Sequence, residues 1–381
     1  MKKIVIIGAS YLQLPLIKKV KEMGYETHVF AWQEGAVGFE YIDKFYPISI
    51  REIEQIKKEC EKIKPSAIVS IASDLANITV HEVARQLGLP CNSKHCIEIS
   101  TNKYLMREAF EKADIPCPKF KLVDETQNLE ELKNNLAMQF PIIVKPTDRS
   151  GSRAITKLKN SKGFVQAVEN AISQSFEKKA IVEEFVEGDE FSMESISYKG
   201  KHTVLNITKK FTTGAPHFIE TGHLEPAGFT GELKQKIETT ICKALDALEI
   251  KMGASHAEFK VDRAGNVRII EIGSRMGGDF IGAELVKLST GHDFVQMVVE
   301  TALGQPPTIN ERKDAIAGIK FIFNEKDINQ IEKRKKKFPQ SFVQGETFYD
   351  EIKNKVVDSG TRHGYAIFMF DSFDEAKKFL G

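Results

Sequence analysis

Two glutamates on either side of a predicted turn are the residues of this 381-residue sequence best suited to chemistry. From His256 to Arg275, apolar and polar residues alternate around Asp262–Asn266, a pattern that predicts a β-hairpin. If the turn is centred between positions 264 and 265, Glu258 and Glu271 face each other on one side of the hairpin. Two carboxylates at so short a distance repel each other unless a cation neutralises them. Mg²⁺ is commonly held by one or two carboxylates together with phosphate oxygens. The pair therefore predicts a site for a divalent cation.

The same side of the hairpin carries further residues, because side chains two positions apart on a strand share a face. These residues are His256, Lys260, Gly273 and Arg275. Phe259 and Ile270 are expected to point the other way, into a core. The alternative is an exposed hairpin whose glutamates are screened by solvent and by Lys260, and a turn one residue longer would change the pairing.

A lysine at the end of an apolar strand precedes a polar loop that contains glycine. The strand is expected at Pro141–Lys145, and the loop at Thr147–Arg153 has Ser150, Gly151 and Ser152 near its centre. A lysine in this place, with loop amides closing over the ligand, suits an anionic phosphate. The signature of a P-loop is absent, and an ordinary surface loop is the alternative.

An acidic segment, Glu183–Glu190, ends another predicted strand. Its backbone could pair with the edge of a flat heterocycle, while a carboxylate binds an exocyclic amine or the hydroxyls of a ribose. Taken alone, the segment is better explained as an acidic strand end that leads into a turn.

The first hundred residues predict the scaffold of a parallel sheet. Strands are expected at 3–7, 27–31 and 67–71, and helices at about 12–23, 53–63 and 77–87, the alternation typical of βαβ units. The turn Gly8–Gln13 lacks the second and third glycines of GxGxxG, and the second strand runs into Trp32 without a carboxylate for a ribose. We therefore expect a Rossmann-like domain without a dinucleotide cofactor.

From Thr101 onward the pattern changes to α+β with mostly antiparallel pairing. Strands are expected at about 141–145, 154–158, 179–185, 191–197, 203–208 and 255–272, and helices at about 103–113, 162–172 and 231–248. Two further strands are expected near 316–323 and 364–369, after Pro306-Pro307. The fold class is thus α/β followed by α+β.

Composition excludes several classes of protein. The sequence has 54 Lys+Arg and 53 Asp+Glu, so at a net charge of +1 it lacks the basic bias of a dedicated nucleic-acid binder. The basic run 333–337 is interpreted as a solvated helix face. No stretch approaches the ~20 apolar residues of a membrane span, so a soluble, cytoplasmic protein is expected. The five cysteines form no CxxC pair, which indicates reduced thiols. A metal site at Cys91, His95 and Cys96 is the alternative, and it lacks a fourth ligand nearby.

Together and in this order, these segments resemble the ATP-grasp superfamily, whose fold clamps ATP between two α+β subdomains behind a Rossmann-like domain. Within it the sequence resembles the L-amino acid ligases and is related to phosphoribosylglycinamide synthetase and biotin carboxylase. The most specific part is Glu258 together with Glu271–Gly278. The family motif usually reads Glu-x-Asn-x-Arg, whereas Gly273 stands at the Asn position here, where water or His256 could replace the missing side chain.

The resemblance implies a division of the chain and a role for each candidate residue. A Rossmann-like domain would cover 1–100, ATP-grasp subdomains 101–178 and 179–307, the second with the MgATP site, and a small C-terminal lobe 308–381. Lys103 and Lys145 would contact ATP phosphates, Ser150, Gly151 and Ser152 would form a mobile lid, and Glu258 and Glu271 would hold Mg²⁺, with Mn²⁺ as an alternative. Glu183 would face the adenine amine, and the backbone of Glu184 and Val186 would bind the edge of the ring. Glu190 would bind the ribose, and Arg275 would stabilise the phosphate or acyl-phosphate.

The implied activity is a ligation in which ATP converts a small carboxylate into an acyl-phosphate and an amine displaces phosphate, with Arg275 and Lys145 as catalytic residues. An amino acid ligase is the leading hypothesis. A purine-biosynthetic ligase of the phosphoribosylglycinamide synthetase kind and an ATP-binding module without turnover are the alternatives. A homodimer is common for this resemblance, and no nucleic acid or membrane partner is expected.

Substrate choice is expected near Arg275, where Gly277 and Gly278 would let backbone amides approach closely. The loop 212–227 is the second expected specificity region, and its polar residues are His217, Glu220 and His223. The alternative for these three is that they are solvated loop residues.

Overall fold

The computed structural model describes residues 1–151, 153–215, 218–348 and 355–381. The N-terminal elements alternate as the sequence predicts: β1 (Lys3–Ile7), α1 (Leu14–Glu22), β2 (Glu26–Phe30), β3 (Lys44–Tyr46), α2 (Ile53–Ile63), β4 (Ala67–Val69) and α3 (Asp74–Gln86). The four strands form a parallel sheet of order β3-β2-β1-β4. This confirms the Rossmann-like architecture of the N-terminal region.

The turn after β1 is closed by a side chain of its own. The backbone N–H and hydroxyl of Ser10 donate to Gln13 Oε1 at 3.1 and 2.6 Å, and Gln13 Nε2 donates to the carbonyl of Ile71 at 2.8 Å. Gln13 is buried and belongs to this turn. Helix α1 therefore begins at Leu14, two residues later than expected.

The next segment forms a small antiparallel sheet. Its elements are α4 (Lys94–Thr101), α5 (Lys103–Lys112), β5 (Phe120–Asp124), α6 (Leu129–Asn134), β6 (Ile142–Pro146), β7 (Thr156–Leu158), α7 (Phe164–Gln174) and β8 (Lys179–Glu184). The strand order is β5-β8-β6-β7. Strand β8 therefore pairs with the segment before it, although the boundary predicted at 178 assigns it to the segment after; the domain boundaries themselves stay predictions.

An eight-stranded sheet occupies the rest of the chain. Its elements are β9 (Asp189–Tyr198), β10 (Lys201–Thr212), β11 (Glu220–Glu225), α8 (Gly231–Ala247), β12 (Met252–Val261), β13 (Val267–Gly273), a π-helical turn (Ile281–Leu285), α9 (Val286–Thr290), α10 (Phe294–Ala302), β14 (Ile316–Phe321), α11 (Glu325–Lys337), β15 (Phe342–Thr347), β16 (Gly364–Phe370) and α12 (Phe373–Leu380). The order is β13-β12-β9-β10-β11-β14-β16-β15. The strands of the C-terminal segment thus extend the sheet that carries the glutamate hairpin.

Strand β11 corrects one expectation, because we took residues 212–227 for a loop. Gly222 to Glu225 pair with Lys320 to Ala317 of β14, and the side chain of Leu224 is fully buried. The other edge of β11 pairs with Lys209 to Thr212 of β10, so β11 lies between a neighbouring strand and a strand almost a hundred residues further along the chain.

The basic run 333–337 is a helix face on which Lys333, Lys336 and Lys337 are exposed, as expected, and Arg334 is the exception. The run lies in α11, but Arg334 is only 7% exposed. Its guanidinium donates to Glu375 Oε1 at 2.9 Å and to the carbonyl of Met369 at 3.2 Å, and Cζ lies 4.2 Å from the ring centroid of Phe370. Aromatic rings and two acceptors hold this one charge in the interior.

A shared hydrophobic core joins the N-terminal sheet to the large sheet. It includes Ile4 and Val29 from the first, Ile196 from the second, and Val295 and Val298 from α10 between them. Among the described residues, no helix is both long and apolar enough to cross a membrane.

Candidate functional site

A cleft of about 1060 Å³ is lined by residues of both the small sheet and the large sheet. Most of the residues that we singled out in the sequence line it: Lys103, Lys145, Ser150, Gly151, Glu183, Glu184, Val186, Glu190, Glu220, Glu258, Glu271 and Arg275. The structure therefore collects in one place residues that are up to 172 positions apart in the chain (275 minus 103).

Glu258 and Glu271 are paired across the β12–β13 hairpin, which confirms the predicted opposition of the two carboxylates. Asp262 closes the turn, because its carboxylate accepts from the backbone N–H groups of Ala264 and Asn266 at 2.8 and 2.9 Å. Both glutamates line the cleft.

The pairing reaches this register through a β-bulge. Beyond the turn Val261 faces Val267, one position out of the predicted register, and Ile270 is the extra residue that restores it before Glu271. Ile270 consequently lines the cleft, and our expectation that it points into a core is wrong. Phe259 is fully buried, as expected.

Lys103 connects the hairpin to the glycine-containing loop. Asn102 caps α5 by accepting from the backbone N–H of Tyr104 at 3.0 Å, which fixes Lys103 as the first helical residue. Lys103 Nζ lies 2.6 Å from Glu271 Oε1 and donates to the carbonyl of Arg149 at 2.9 Å. A single buried ammonium thus contacts both the hairpin carboxylate and the base of the loop.

Lys210 is a cleft residue that the sequence analysis missed. Its Nζ lies 2.6 Å from Glu258, 3.1 Å from Glu190 and 3.5 Å from Glu220. Burial alone would lower the pKa of this lysine, but the three carboxylates hold it well above its ordinary value. Neighbouring Lys209 points to an exposed carboxylate instead, and the sequence contains no signal that distinguishes the two lysines.

Lys145 and Glu183 form a buried ion pair of 2.6 Å. Arg107, a second missed residue, places Nη2 2.8 Å from the other oxygen of Glu183. Burial and the cations Arg107 and Lys103 lower the pKa of Lys145, against the opposing effect of Glu183. Burial would raise the pKa of Glu183, but Arg107 and Lys145 outweigh it and keep this carboxylate ionised.

His256 stands between two carboxylates. Its Nδ1 pairs with Glu194, which is fully buried, and its Nε2 lies 3.3 Å from Glu258 Oε1. Burial would lower the pKa of His256, but Glu194 and Glu258 raise it to about 9, so the imidazolium form prevails at neutral pH. The backbone N–H of Gly277 donates to the second oxygen of Glu194 at 2.9 Å.

Arg275 is held by a carboxylate of the N-terminal region. Its Nε and Nη2 donate to the two oxygens of Asp74 at 2.8 and 3.2 Å. A Cβ on Gly273 would lie 3.2 Å from Asp74 Oδ1 and 3.4 Å from the guanidinium carbon. The absence of a side chain at position 273 therefore makes room for the Arg275–Asp74 pair. The carboxylate of Asp74 occupies the space into which a larger side chain at position 273 would extend.

Glu220 and His223 share strand β11 but lie in different surroundings. Glu220 lines the cleft, whereas His223 is fully buried and its Nε2 lies 3.3 Å from Asp279, which pairs with Arg362. His223 is therefore neither a solvated loop residue nor part of the cleft wall.

The two glycines also differ from each other. A Cβ on Gly277 would lie 2.7 Å from both Glu194 and His256, whereas a Cβ on Gly278 would meet only Ala72, at 3.7 Å. Neither lines the cleft, so Gly277 serves the packing of the Glu194–His256 pair here. His217 and Ser152 lie outside the described residues.

The carboxylates fit a metal that is bound together with phosphate. Among the residues that the structure describes, no three His, Cys, Asp or Glu side chains come together as a metal site, and this covers Cys91, His95 and Cys96. Glu258 and Glu271 each contact a lysine at 2.6 Å, so a positive charge lies beside each carboxylate. Two such oxygen donors suit Mg²⁺ when phosphate oxygens and water complete its shell.

The other end of the cleft suits a flat base. Its apolar walls are Pro118, Ile143, Ile155, Phe185, Val186 and Ile270. Lys157 and Lys260 lie over the ring of Phe185, 3.2 and 4.8 Å from its centroid. Glu183 also lines this part of the cleft, where Arg107 and Lys145 each hold one of its oxygens.

Comparison with known proteins agrees with this geometry. Residues 138–283 match the model of the ATP-grasp domain. The alanine–anticapsin ligase of Bacillus subtilis (strain 168) is 25% identical over 270 residues, which cover 65% of this chain and 56% of that ligase. The chain thus spans little more than half the length of this curated relative.

Solved structures resemble the chain over its whole length. The L-amino acid ligase from Bacillus licheniformis has a TM-score of 0.82 at 20% identity, covering 100% of this chain and 96% of that one. Phosphoribosylglycinamide synthetase from Anaerococcus prevotii has a TM-score of 0.77 at 22% identity, with the same coverage. At this level of identity the likeness shows the fold. Residues 138–283 therefore carry an ATP-grasp domain, and the chain as a whole shares the fold of these solved structures.

Proposed function

We propose that the protein is an ATP-dependent ligase that activates a small carboxylate as an acyl-phosphate and joins it to an amine, forming a carbon–nitrogen bond. The observation that carries the proposal is the cleft itself: two opposed carboxylates, three buried lysines and an arginine lie beside an apolar pocket. Phosphoryl transfer depends mainly on positioning and charge neutralisation, and these residue types supply both.

The nucleotide would enter with its base between Ile143, Phe185 and Ile270. Glu183 would accept from the exocyclic amine, and the backbone near Glu184 and Val186 would bind the ring edge. Glu190, on the same cleft wall, would bind the ribose. Lys103, Lys145 and the loop around Gly151 would then face the phosphates, because they line the adjoining part of the cleft.

Glu258 and Glu271 would hold Mg²⁺, with Mn²⁺ as a substitute of the same charge. The bound metal would neutralise the phosphate oxygens as charge develops on them. Lys103 and Lys210, which compensate the carboxylates at 2.6 Å, are long and flexible enough to turn towards phosphate when the metal takes their place.

The reaction would proceed in two displacements. A substrate carboxylate oxygen attacks the γ-phosphorus, the bond between that phosphorus and the β–γ bridging oxygen breaks, and ADP leaves. The amine nitrogen then attacks the acyl carbon, the carbon–oxygen bond to phosphate breaks, and the amine loses a proton as inorganic phosphate departs. Arg275 lines the cleft and can stabilise the negative charge of the acyl-phosphate.

Amino acids are the substrate class that we favour. Arg275 can bind a carboxylate through two hydrogen bonds, as its pairing with Asp74 shows, and Glu220 offers a carboxylate for an ammonium group in the same cleft. The similarity to an alanine–anticapsin ligase and to an L-amino acid ligase supports this choice.

A purine-biosynthetic ligase is the second candidate. The full-length resemblance to phosphoribosylglycinamide synthetase supports it. That reaction would require a binding site for a sugar phosphate. A cytoplasmic location and a homodimer stay predictions.

The decisive experiment measures ADP and phosphate release from MgATP with pooled amino acids, and separately with phosphoribosylamine plus glycine. The control is the Glu258→Gln/Glu271→Gln double variant. Release with the amino acid pool that the control lacks supports the amino acid ligase, and release only with the ribosylamine supports the second candidate. Tight nucleotide binding without release in any mixture would contradict both and favour a binding module.

A further inference from the structure

A fully buried arginine outside the motif residues connects the two halves of the cleft. Arg107 lies in α5 and is 0% exposed. Its Nη2 lies 2.8 Å from Glu183 Oε1, and the same nitrogen donates a hydrogen bond to the carbonyl of Ile270. A guanidinium is seldom buried completely unless it is paired, so these two contacts account for its position.

The two contacts belong to different sheets. Glu183 lies in β8 of the small sheet, where it holds Lys145 at 2.6 Å. Ile270 lies in β13 of the large sheet and is the extra residue of the β-bulge. The backbone of a bulge residue has no regular ladder partner, so a side-chain donor is what fixes its orientation.

The bulge decides where Glu271 points. Without the extra residue, the pairing set at the turn would continue and Glu271 would change faces, since a one-residue shift reverses every side chain of a strand. Arg107 therefore contacts one residue that orients Lys145 and another that orients Glu271.

We propose that Arg107 is a positioning residue that aligns the nucleotide end of the cleft, through Glu183, with the carboxylate hairpin, through the carbonyl of Ile270. The inference rests on the proposed function, because it assigns the two ends to nucleotide and metal. Lysine cannot fully replace arginine here, because both contacts come from Nη2, which lies one bond further from the backbone than a lysine Nζ. The shorter ammonium can neutralise Glu183 but does not reach both acceptors at once.

The test measures binding of ADP by isothermal titration, with and without Mg²⁺, for the wild-type chain, Arg107→Met and Arg107→Lys. Arg334→Lys is the matched control, because Arg334 is also buried and bonded to a carbonyl and a carboxylate but lies outside the cleft. All variants are compared below their own Tm, so that loss of folded protein does not enter the affinity.

We expect Arg107→Met to weaken metal-free ADP binding by about tenfold and also to reduce the further gain that Mg²⁺ gives. Arg107→Lys should recover the metal-free affinity but not the gain from Mg²⁺, while Arg334→Lys should lower Tm and leave both affinities unchanged. Unchanged affinities in both Arg107 variants, or a loss equal to that of Arg334→Lys, would overturn the inference. If the wild-type chain binds no nucleotide, the proposed function itself fails, and this inference fails with it.

Discussion

Replacing Gly277 by alanine should damage the carboxylate hairpin from a distance, while the same change at Gly278 should not. The added Cβ at 277 would lie 2.7 Å from Glu194 Oε1 and 2.7 Å from His256 Nδ1. Both partners are buried and paired with each other, so neither can move aside without breaking that ion pair. At 278 the nearest atom is the Cβ of Ala72 at 3.7 Å, which is an ordinary contact.

The size of the effect follows from the overlap. Non-bonded atoms separate to roughly 3.5 Å, so the Gly277→Ala variant must displace the pair by a large part of an ångström. Overpacking of this kind costs about 1–3 kcal/mol. For 381 residues with an unfolding entropy of about 2 cal/mol/K each, that loss lowers Tm by about 1–4 °C. Since His256 Nε2 lies 3.3 Å from Glu258, the Glu258 carboxylate should move with it.

The assay is thermal unfolding of the two alanine variants beside wild type, followed by titration with MgADP. We expect Gly277→Ala to lower both Tm and the affinity for MgADP, and Gly278→Ala to match wild type in both. If the two variants behave alike, the packing argument at Gly277 is refuted. A lowered Tm with wild-type affinity would show that Glu258 does not depend on His256.

Three further changes test other parts of the cleft. Lys145→Ala should weaken ATP binding by at least tenfold in a titration, because Glu183 loses its 2.6 Å partner; an unaltered Kd would remove Lys145 from the site. Lys210→Met leaves Glu258 without its closest cation and should lower both Tm and metal-free ADP affinity, with added Mg²⁺ restoring part of the loss; a neutral variant would refute this charge balance. Burial raises the pKa of Glu225 from its usual 4.5 to about 8, so its stabilising protonated form is progressively lost as pH rises through that range. Glu225→Gln should therefore flatten the fall of Tm with rising pH, and an unchanged slope would contradict the assignment.

The sequence reveals those parts of the fold that depend on local pattern. β1 and α2 were predicted with the bounds that the structure shows, because apolar periodicity and flanking turns define them. The opposition of Glu258 and Glu271 was predicted from strand alternation and one turn, although the structure reaches it through a shifted turn and a bulge. The bulge at Ile270 was not, because nothing in the residue pattern distinguishes a two-residue turn from a longer turn compensated by an extra residue.

The cleft residues that the sequence analysis did not identify were overlooked for a different reason. Lys210, Arg107 and Asp74 carry no motif, and each becomes a cleft or supporting residue only through a partner far along the chain. Strand β11 was overlooked although one of its neighbours, β10, directly precedes it; its other neighbour, β14, comes from the C-terminal segment. Tertiary contacts, rather than local propensity, decide these positions.

The measurement that tests the central claim most directly is electron paramagnetic resonance of Mn²⁺ used in place of Mg²⁺. A mixture of wild-type protein and ADP should lower the signal of free Mn²⁺ further than the same concentration of ADP does without protein. The Glu258→Gln/Glu271→Gln variant should lose this additional binding while still binding ADP in a parallel titration. Equal Mn²⁺ binding by both proteins in the presence of ADP would contradict the assignment of the hairpin as the metal site.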